Sequence, residues 1–140
     1  MSNIIYYADE NADELKIFEQ AAATMGNTIE TFENGDELMI AVDNSPPVPK
    51  MVFVDLNKTK DSFKVVEEIR QSKNSKIPIV IVSGNNNFKI IQKFKELGAS
   101  LFIPKCKSKI KLKAAIEFAL QRNWRTAKIN TKNFYFNSWL

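Results

Sequence analysis

The chain has 140 residues, of which 44% are hydrophobic and 26% are charged, a composition that fits one soluble globular domain and requires no second one. It contains no histidine and a single cysteine, Cys106, which excludes Ser-His and Cys-His nucleophile pairs, His-ligated zinc and an internal disulfide. No apolar run approaches the roughly 20 residues that span a bilayer, and Asp9 and Glu10 come too early for a signal peptide, so we expect a cytoplasmic protein with no membrane partner.

Short apolar runs alternate with segments of helical periodicity up to about residue 123. Gly26 and Gly98 stand where helices are expected to end, because glycine readily adopts the left-handed conformation found there. Ser108 stands where a helix is expected to begin, because its hydroxyl can accept a hydrogen bond from the first turn. The first half of the chain is predicted to contain a strand at 4–8, a helix ending at Gly26, an edge strand at 28–32, a helix opened by Asn34-Gly35 and a strand at 51–54. The second half is predicted to contain a loop at 57–62 with a helix after it, a strand at 78–82, a helix ending at Gly98, a strand at 100–104 and a helix from Ser108 to about Asn123.

The strand at 51–54 is the most apolar, and it runs without a polar interruption into Asp55. Such a pattern is typical of a strand that is buried on both faces of a sheet and ends at the sheet's edge. The alternation of strands and helices predicts a parallel sheet with helices on both faces. In that arrangement the carboxyl ends of the strands share one edge, where ligands bind. The residues predicted to meet there are Asp9, Glu10, Asp55, Ser83 and Lys105.

This predicted cluster combines carboxylates with one lysine. Neighbouring carboxylates repel one another unless a cation lies among them, and Lys105 or a divalent ion would supply that charge. Oxygen-only ligands at an open edge favour Mg²⁺. Asp55, ionised at neutral pH, would then act as a nucleophile toward a phosphoryl group, with Lys105 and the ion stabilising the transferring oxygens.

These motifs, in this order, resemble the receiver domain of two-component response regulators, the CheY-like family of phosphorelay signalling proteins. The resemblance covers about residues 3–122. It implies an α/β fold of the flavodoxin-like type, a doubly wound five-stranded parallel sheet in the order 2-1-3-4-5 with helices on both faces. The matching motifs are Asp9-Glu10, Asp55-Leu56-Asn57, Ser83-Gly84, Gly98-Ala99 followed by Phe102, and Lys105.

The resemblance also implies a role for each matching residue. Asp55 is the implied phosphoacceptor, modified by a sensor histidine kinase or a histidine phosphotransfer protein, and Lys105 and Ser83 are its implied catalytic partners. Ser83 and Phe102 are the implied switch residues, because in the family the hydroxyl bonds a phosphoryl oxygen and the aromatic ring changes rotamer. The implied cofactor is Mg²⁺, and its implied ligands are Asp9, Glu10, Asp55 and Asn57.

Three positions depart from the usual family pattern. Glu10 stands where the family usually has aspartate, Lys58-Thr59 replaces the usual Met-Pro after the phosphoacceptor, and Cys106 replaces a proline after the lysine. These differences leave an alternative function open, that of a degenerate receiver acting as a protein-binding module that does not depend on phosphorylation.

The last predicted helix carries a second apolar stripe, formed by Ile110, Ala114 and Phe118, beside the one that faces its own core. We predict this stripe to be a face for a downstream protein target or for a second copy in a homodimer. We divide the chain into a receiver domain at 1–123 and a C-terminal aromatic-rich tail at 124–140. The tail is expected to pack on the domain or on a second molecule, or to be disordered in isolation.

The predicted function is that of a single-domain response regulator that signals by protein contacts and is not an enzyme. A flavin electron carrier on the same fold is one alternative, but the loop after the first strand is acidic and lacks the hydroxyls and glycines that bind phosphate. A small nucleic-acid binder is another, because the net charge is +4 and the pI is near 9.1. Lysine and glutamate are interleaved along the chain, which favours a solvated surface, so we expect no direct DNA binding.

Overall fold

The computed structural model describes residues 3–122, Trp124 and residues 134–136 of the chain. Its five strands form one parallel sheet, in which the order is the second, first, third, fourth and fifth strand, so the predicted fold class is confirmed. The strands are β1 (Ile4–Asp9), β2 (Thr28–Phe32), β3 (Met51–Asp55), β4 (Ile79–Ser83) and β5 (Leu101–Pro104). The helices are α1 (Leu15–Thr24), preceded by a short 3-10 turn (Ala12–Glu14), α2 (Gly35–Asp43), α3 (Thr59–Gln71), α4 (Phe88–Leu97) and α5 (Lys109–Gln121).

The sheet separates two apolar cores. Helices α2, α3 and α4 cover one face around Val54 and Phe94, and helices α1 and α5 cover the other around Phe18 and Phe53. Because β3 lies in the middle of the sheet and contacts both layers, all its residues are buried, whereas β2 at the edge is mostly exposed. This explains why the sequence of β3 is a continuous apolar run and that of β2 is not.

Strand register decides which polar residues share the carboxyl edge of the sheet. In the pairing of β1 with β3, Asp9 lies opposite Asp55. In the pairing of β4 with β5, Ser83 lies opposite Pro104, and Lys105 follows directly. The carboxylates and the lysine therefore reach one edge from strands that are far apart in the sequence.

Helix α3 begins at Thr59, so the predicted loop at 57–62 is wrong. The segment after Asn57 contains no proline or glycine, and the first helical turn tolerates an acidic residue because Asp61 interacts favourably with the helix dipole. Other boundaries agree closely with the sequence pattern. Ser108 caps α5 by accepting a hydrogen bond from the Lys111 N–H, and Gly98 ends α4 with a left-handed φ of 101°.

Among the residues that the structure describes, no helix combines the length and the hydropathy that a membrane crossing requires.

Candidate functional site

Two carboxylates lie side by side at the carboxyl edge of the sheet. Asp9 is the last residue of β1, Asp55 is the last residue of β3, and the register pairs them. Adjacent strands are about 4.8 Å apart, so the two side chains share a small space. Both residues are buried, and Asp55 is only 3% exposed. Such a pair is unfavourable unless nearby cations and hydrogen-bond donors compensate for the lost solvation and the repulsion.

Lys105 supplies the cation. Its Nζ lies 2.7 Å from Asp55 Oδ2 and 2.9 Å from Glu14 Oε1. The backbone of Lys105 is fixed as well, because its N–H donates to the Ser83 carbonyl at 2.8 Å. Glu14 ends the 3-10 turn that follows β1, so this turn brings a third carboxylate to the site. Lys105 therefore bridges the buried Asp55 and the partly exposed Glu14.

The carboxylate of Asp9 is held by two donors. The Tyr7 hydroxyl donates to Asp9 Oδ2, and the Asn11 backbone N–H donates to Asp9 Oδ1 at 2.8 Å. Tyr7 is fully buried and its ring stacks on Phe18, with centroids 4.1 Å apart. Burial and the hydrogen bond to Asp9 raise the pKa of Tyr7, so its hydroxyl stays protonated and remains a donor. These contacts fix the orientation of Asp9.

The acids and the lysine shift one another's pKa values in opposite ways. Burial raises the pKa of Asp55 from 3.8 to about 7, because the loss of solvation outweighs the hydrogen bond and the charge of Lys105, and Asp9 and Glu14 raise it further. Burial alone would lower the pKa of Lys105, but Asp55 and Glu14 raise it overall. Three ionised carboxylates and one ammonium sum to a formal charge of −2. This excess favours either protonation of Asp55 or binding of a cation.

The predicted magnesium ligands are only partly brought together. Asp9 and Asp55 are neighbours, whereas Glu10 and Asn57 are exposed. Across residues 3–122, Trp124 and 134–136, no group of three or more acidic or cysteine side chains is arranged to hold a metal ion. Magnesium commonly uses one or two carboxylates and completes its shell with water. The oxygen chemistry and the negative charge of Asp9 and Asp55 therefore fit this ion.

Ser83 is the last residue of β4, and Phe102 lies within β5, the strand that Lys105 follows. The Ser83 hydroxyl accepts from the Asn85 N–H at 3.0 Å and donates to the Asn85 carbonyl at 3.3 Å, so it bonds within its own loop. Phe102 lies in β5 with no exposed surface, and its ring stacks on Tyr135 at 5.9 Å between centroids. Of the two predicted switch residues, Ser83 thus has a hydroxyl that is already hydrogen-bonded, and Phe102 has a fully buried ring.

The predicted partner face on α5 is exposed over most of its length. Ile110 is 83% exposed and Ala114 is exposed as well. Phe118 is 39% exposed, and its ring lies 5.1 Å from that of Phe136. The stripe therefore consists of two open positions and a third that borders the described part of the C-terminal tail.

Sequence reasoning missed Tyr7 and Glu14. The period-2 alternation of a strand places Tyr7 on the same side as Asp9, so the hydroxyl could have been found from spacing alone. Glu14 belongs to an acidic run after β1 whose members look equivalent in sequence. Only the path of the 3-10 turn shows which of them reaches Lys105.

Comparison with known proteins concerns the chain as a whole. The sequence profile of the response regulator receiver domain matches residues 5–117. The phosphorylated cyanobacterial phytochrome response regulator RcpA is similar in structure, with 21% identity, a TM-score of 0.76, and coverage of 92% of this chain and 98% of RcpA. The Mn²⁺-bound form of response regulator Rcp1 is similar too, with 19% identity, a TM-score of 0.75 and coverage of 91% and 99%.

The chemotaxis response regulator CheY4 of Vibrio cholerae also shares the fold, with 17% identity, a TM-score of 0.70, and coverage of 84% of this chain and 98% of CheY4. No curated protein sequence matches the chain. At these identities the similar structures show the fold, and the profile match shows the family.

Proposed function

Because the chain belongs to the response regulator receiver domain family, we propose that it accepts a phosphoryl group on Asp55 from a histidine kinase or a histidine phosphotransfer protein. The observation that carries this proposal is the buried Asp55 carboxylate at the end of the central strand, paired with Lys105 at 2.7 Å and adjacent to Asp9. A receiver domain is a signalling module and not an enzyme in the ordinary sense. We also propose a cytoplasmic location, where such kinases present their phosphohistidine.

In the proposed reaction an Asp55 carboxylate oxygen attacks the phosphorus of the phosphohistidine. The new O–P bond forms as the P–N bond breaks, and the imidazole leaves with the bonding electron pair. Lys105 is in place to neutralise the charge that collects on the phosphoryl oxygens, because its ammonium already contacts Asp55. The Ser83 hydroxyl would exchange its bonds with Asn85 for a phosphoryl oxygen, as the family pattern implies.

Asp9 and Asp55 are the residues that would hold Mg²⁺, with Glu10 and Asn57 as the remaining candidates from the sequence. When bound, the ion would supply positive charge to the phosphoryl oxygens. The Mn²⁺-bound form of Rcp1 supports a divalent site in this fold. Tyr7 and Asn11 contribute by orienting Asp9, since each donates to one of its oxygens.

The proposed output is a protein contact made by the α4, β5 and α5 side of the domain. A dianionic group on Asp55 would draw Lys105, which directly follows β5, away from Glu14. The exposed stripe of Ile110 and Ala114, continued by Phe118, is the proposed contact surface for a target or a second copy.

The test is the intact mass of the chain after incubation with acetyl phosphate and Mg²⁺. We expect a gain of about 80 Da, the mass of one phosphoryl group. Asp55→Asn should show no gain, whereas Asp61→Asn, an exposed acid in the first turn of α3, should behave like the native chain. Absence of an adduct on the native chain would overturn the proposal.

One alternative has an observation in its favour. Asp9 already accepts two hydrogen bonds and Lys105 is already shared with Glu14, while Glu10 is exposed. Asp9 and Lys105 therefore have partners without phosphate or metal, as in a degenerate receiver that binds its partner constitutively. If neither an adduct nor Mg²⁺ binding is observed, this second function is the one to pursue.

A further inference from the structure

The outer edge of β5 is covered by residues 134–136, called the aromatic segment below. Tyr135 forms a parallel bridge with Phe102, and the Phe136 N–H donates to the Phe102 carbonyl at 2.9 Å. An edge strand presents N–H and C=O groups that readily pair with another extended chain. Phe134 has helical backbone, and Tyr135 and Phe136 pair with β5 in the manner of a short added strand.

The side chains of the aromatic segment enter both apolar cores. Phe134 is 2% exposed and belongs to the core under α2, α3 and α4. Phe136 is 9% exposed and belongs to the core under α1 and α5, where it meets Phe118. Three consecutive residues thus close the end of the sheet on both faces.

The central residue of the segment packs on Phe102. The rings of Tyr135 and Phe102 are nearly parallel, at 12°, with centroids 5.9 Å apart. The ring of Phe94 lies 6.1 Å from that of Phe102. Phe102 is held by the segment through both its backbone carbonyl and its ring.

We propose that the outer edge of β5 is a binding site for a peptide with three consecutive aromatic residues, the last two of them extended along β5, which the aromatic segment occupies until a partner segment of the same chemistry displaces it. The seated segment shows what this site accepts: backbone pairing parallel to β5, one ring in each core and one ring stacked on Phe102. Recognition of this kind is strand addition, in which the backbone supplies affinity and the side chains supply specificity. An incoming peptide competes with an occupant that is tethered to the same chain and therefore present at a high effective concentration.

The connection to signalling rests on the proposed function. Phe102 and Phe118, which the segment contacts, belong to the proposed switch and contact surface. Displacement of the segment by a partner would uncover both.

The test is the binding of a fluorescent peptide with the sequence of residues 131–140 to the full chain, followed by anisotropy. The peptide should bind the variant Phe134→Ala/Phe136→Ala at least about tenfold more tightly than the native chain, because the tethered competitor is weakened. The control variant Phe88→Ala removes a phenyl ring that is 76% exposed and should bind like the native chain. A peptide with alanine at both phenylalanine positions should not bind. Equal affinity for the native chain and the double variant, or no binding to either, would overturn the proposal.

Hydrogen exchange on the native chain provides a second measurement that does not require the variant to fold. The Phe136 amide, which donates to Phe102, should exchange through local opening, well ahead of the Val52 amide, which donates to the Pro78 carbonyl. Exchange of both amides only on global unfolding would mean that the segment is a fixed part of the core, and would overturn the proposal.

Peptide binding is measured without phosphate and repeated in an Asp55→Asn background, where it should be unchanged. Failure of peptide binding therefore leaves the phosphorylation result intact. Conversely, absence of a phosphoryl adduct leaves the peptide site intact.

Discussion

The carboxyl edge of the sheet and the outer edge of β5 are held by opposite kinds of interaction. At the carboxyl edge, one lysine pairs with a buried and a partly exposed carboxylate, and a buried tyrosine bonds a third. At the outer edge of β5, contact is made by aromatic rings and a backbone hydrogen bond. The pairs at the charged edge depend on ionisation, so we expect them to respond to pH and, under the proposed function, to phosphorylation. The aromatic edge depends on apolar contact, so we expect it to respond to a competing aromatic peptide, and the two edges can be perturbed separately.

The largest expected effect is at the charged edge, in the variant Lys105→Met. At pH 8 this change leaves the Asp55 carboxyl without its cation, so the folded state either buries an unpaired charge or takes up a proton, and breaking a buried pair in this way costs up to about 3–5 kcal/mol. Chemical denaturation at pH 8 measures the loss. Lys107→Met, at an exposed lysine, is the matched control and should change stability by less than about 0.5 kcal/mol.

The double variant Asp55→Asn/Lys105→Met should recover most of that loss, because it removes both charges. If Lys105→Met were as stable as the native chain at pH 8, the folded state would not depend on this ion pair.

The second effect is a pH dependence that only the charged edge should show. The pKa of Asp55 is raised from 3.8 to about 7, so the folded state binds this proton more tightly than the unfolded chain does. The resulting stabilisation is fully present below about pH 4 and is lost as the pH rises through about 7. The free energy of unfolding should fall by about 2–3 kcal/mol between pH 5 and pH 8 from this group alone.

Denaturation of Asp55→Asn across the same pH range is the check, and its profile should be flatter than that of the native chain. Asp61→Asn should retain the native slope. An Asp55→Asn profile as steep as the native one would assign the slope to other groups.

The third effect distinguishes the aromatic edge from the continuous core. Phe134→Ala should cost only about 1–2 kcal/mol, because the loss is limited by the free energy of opening the aromatic segment locally. Phe18→Ala, at an equally buried phenylalanine of α1, should cost about 3–5 kcal/mol. Equal losses in thermal and chemical denaturation would show that the segment is part of the same cooperative unit as the core.

The smallest expected effect is that of Glu14→Gln at the charged edge. The Glu14–Lys105 pair is partly exposed on both sides, so its loss should cost only about 0.5 kcal/mol. Removing the competing carboxylate frees Lys105 for the phosphoryl group, and phosphorylation by acetyl phosphate should become about 2–5-fold faster, a change of less than about 1 kcal/mol in the barrier. Asp13→Asn in the same turn is the matched control, and a slower reaction in Glu14→Gln alone would assign Glu14 a supporting role instead.

The main elements of the fold and the position of the principal carboxylate were predictable from local patterns. The continuous apolar run that ends at Asp55 predicted a central strand and a charged end, because only a strand covered on both faces excludes polar residues so completely. The helix limits at Gly98 and Ser108 were predictable because glycine and serine act within one turn of their own position. The start of α3 at Thr59 was not predictable, because no proline or glycine marks it and a helix beginning at any of several polar residues would fit the pattern equally well.

The sequence alone determined the alternating βα order, the parallel sheet and the set of polar residues at the strand ends, since periodicity and capping are local properties of the chain. Only the tertiary structure decided that Glu14 and not Glu10 contacts Lys105, that Tyr7 bonds Asp9, and that the aromatic segment lies on β5. Each of these contacts joins separate elements or depends on whether a side chain is buried. Such contacts follow from the packing of the whole domain, which leaves no periodic trace in the sequence.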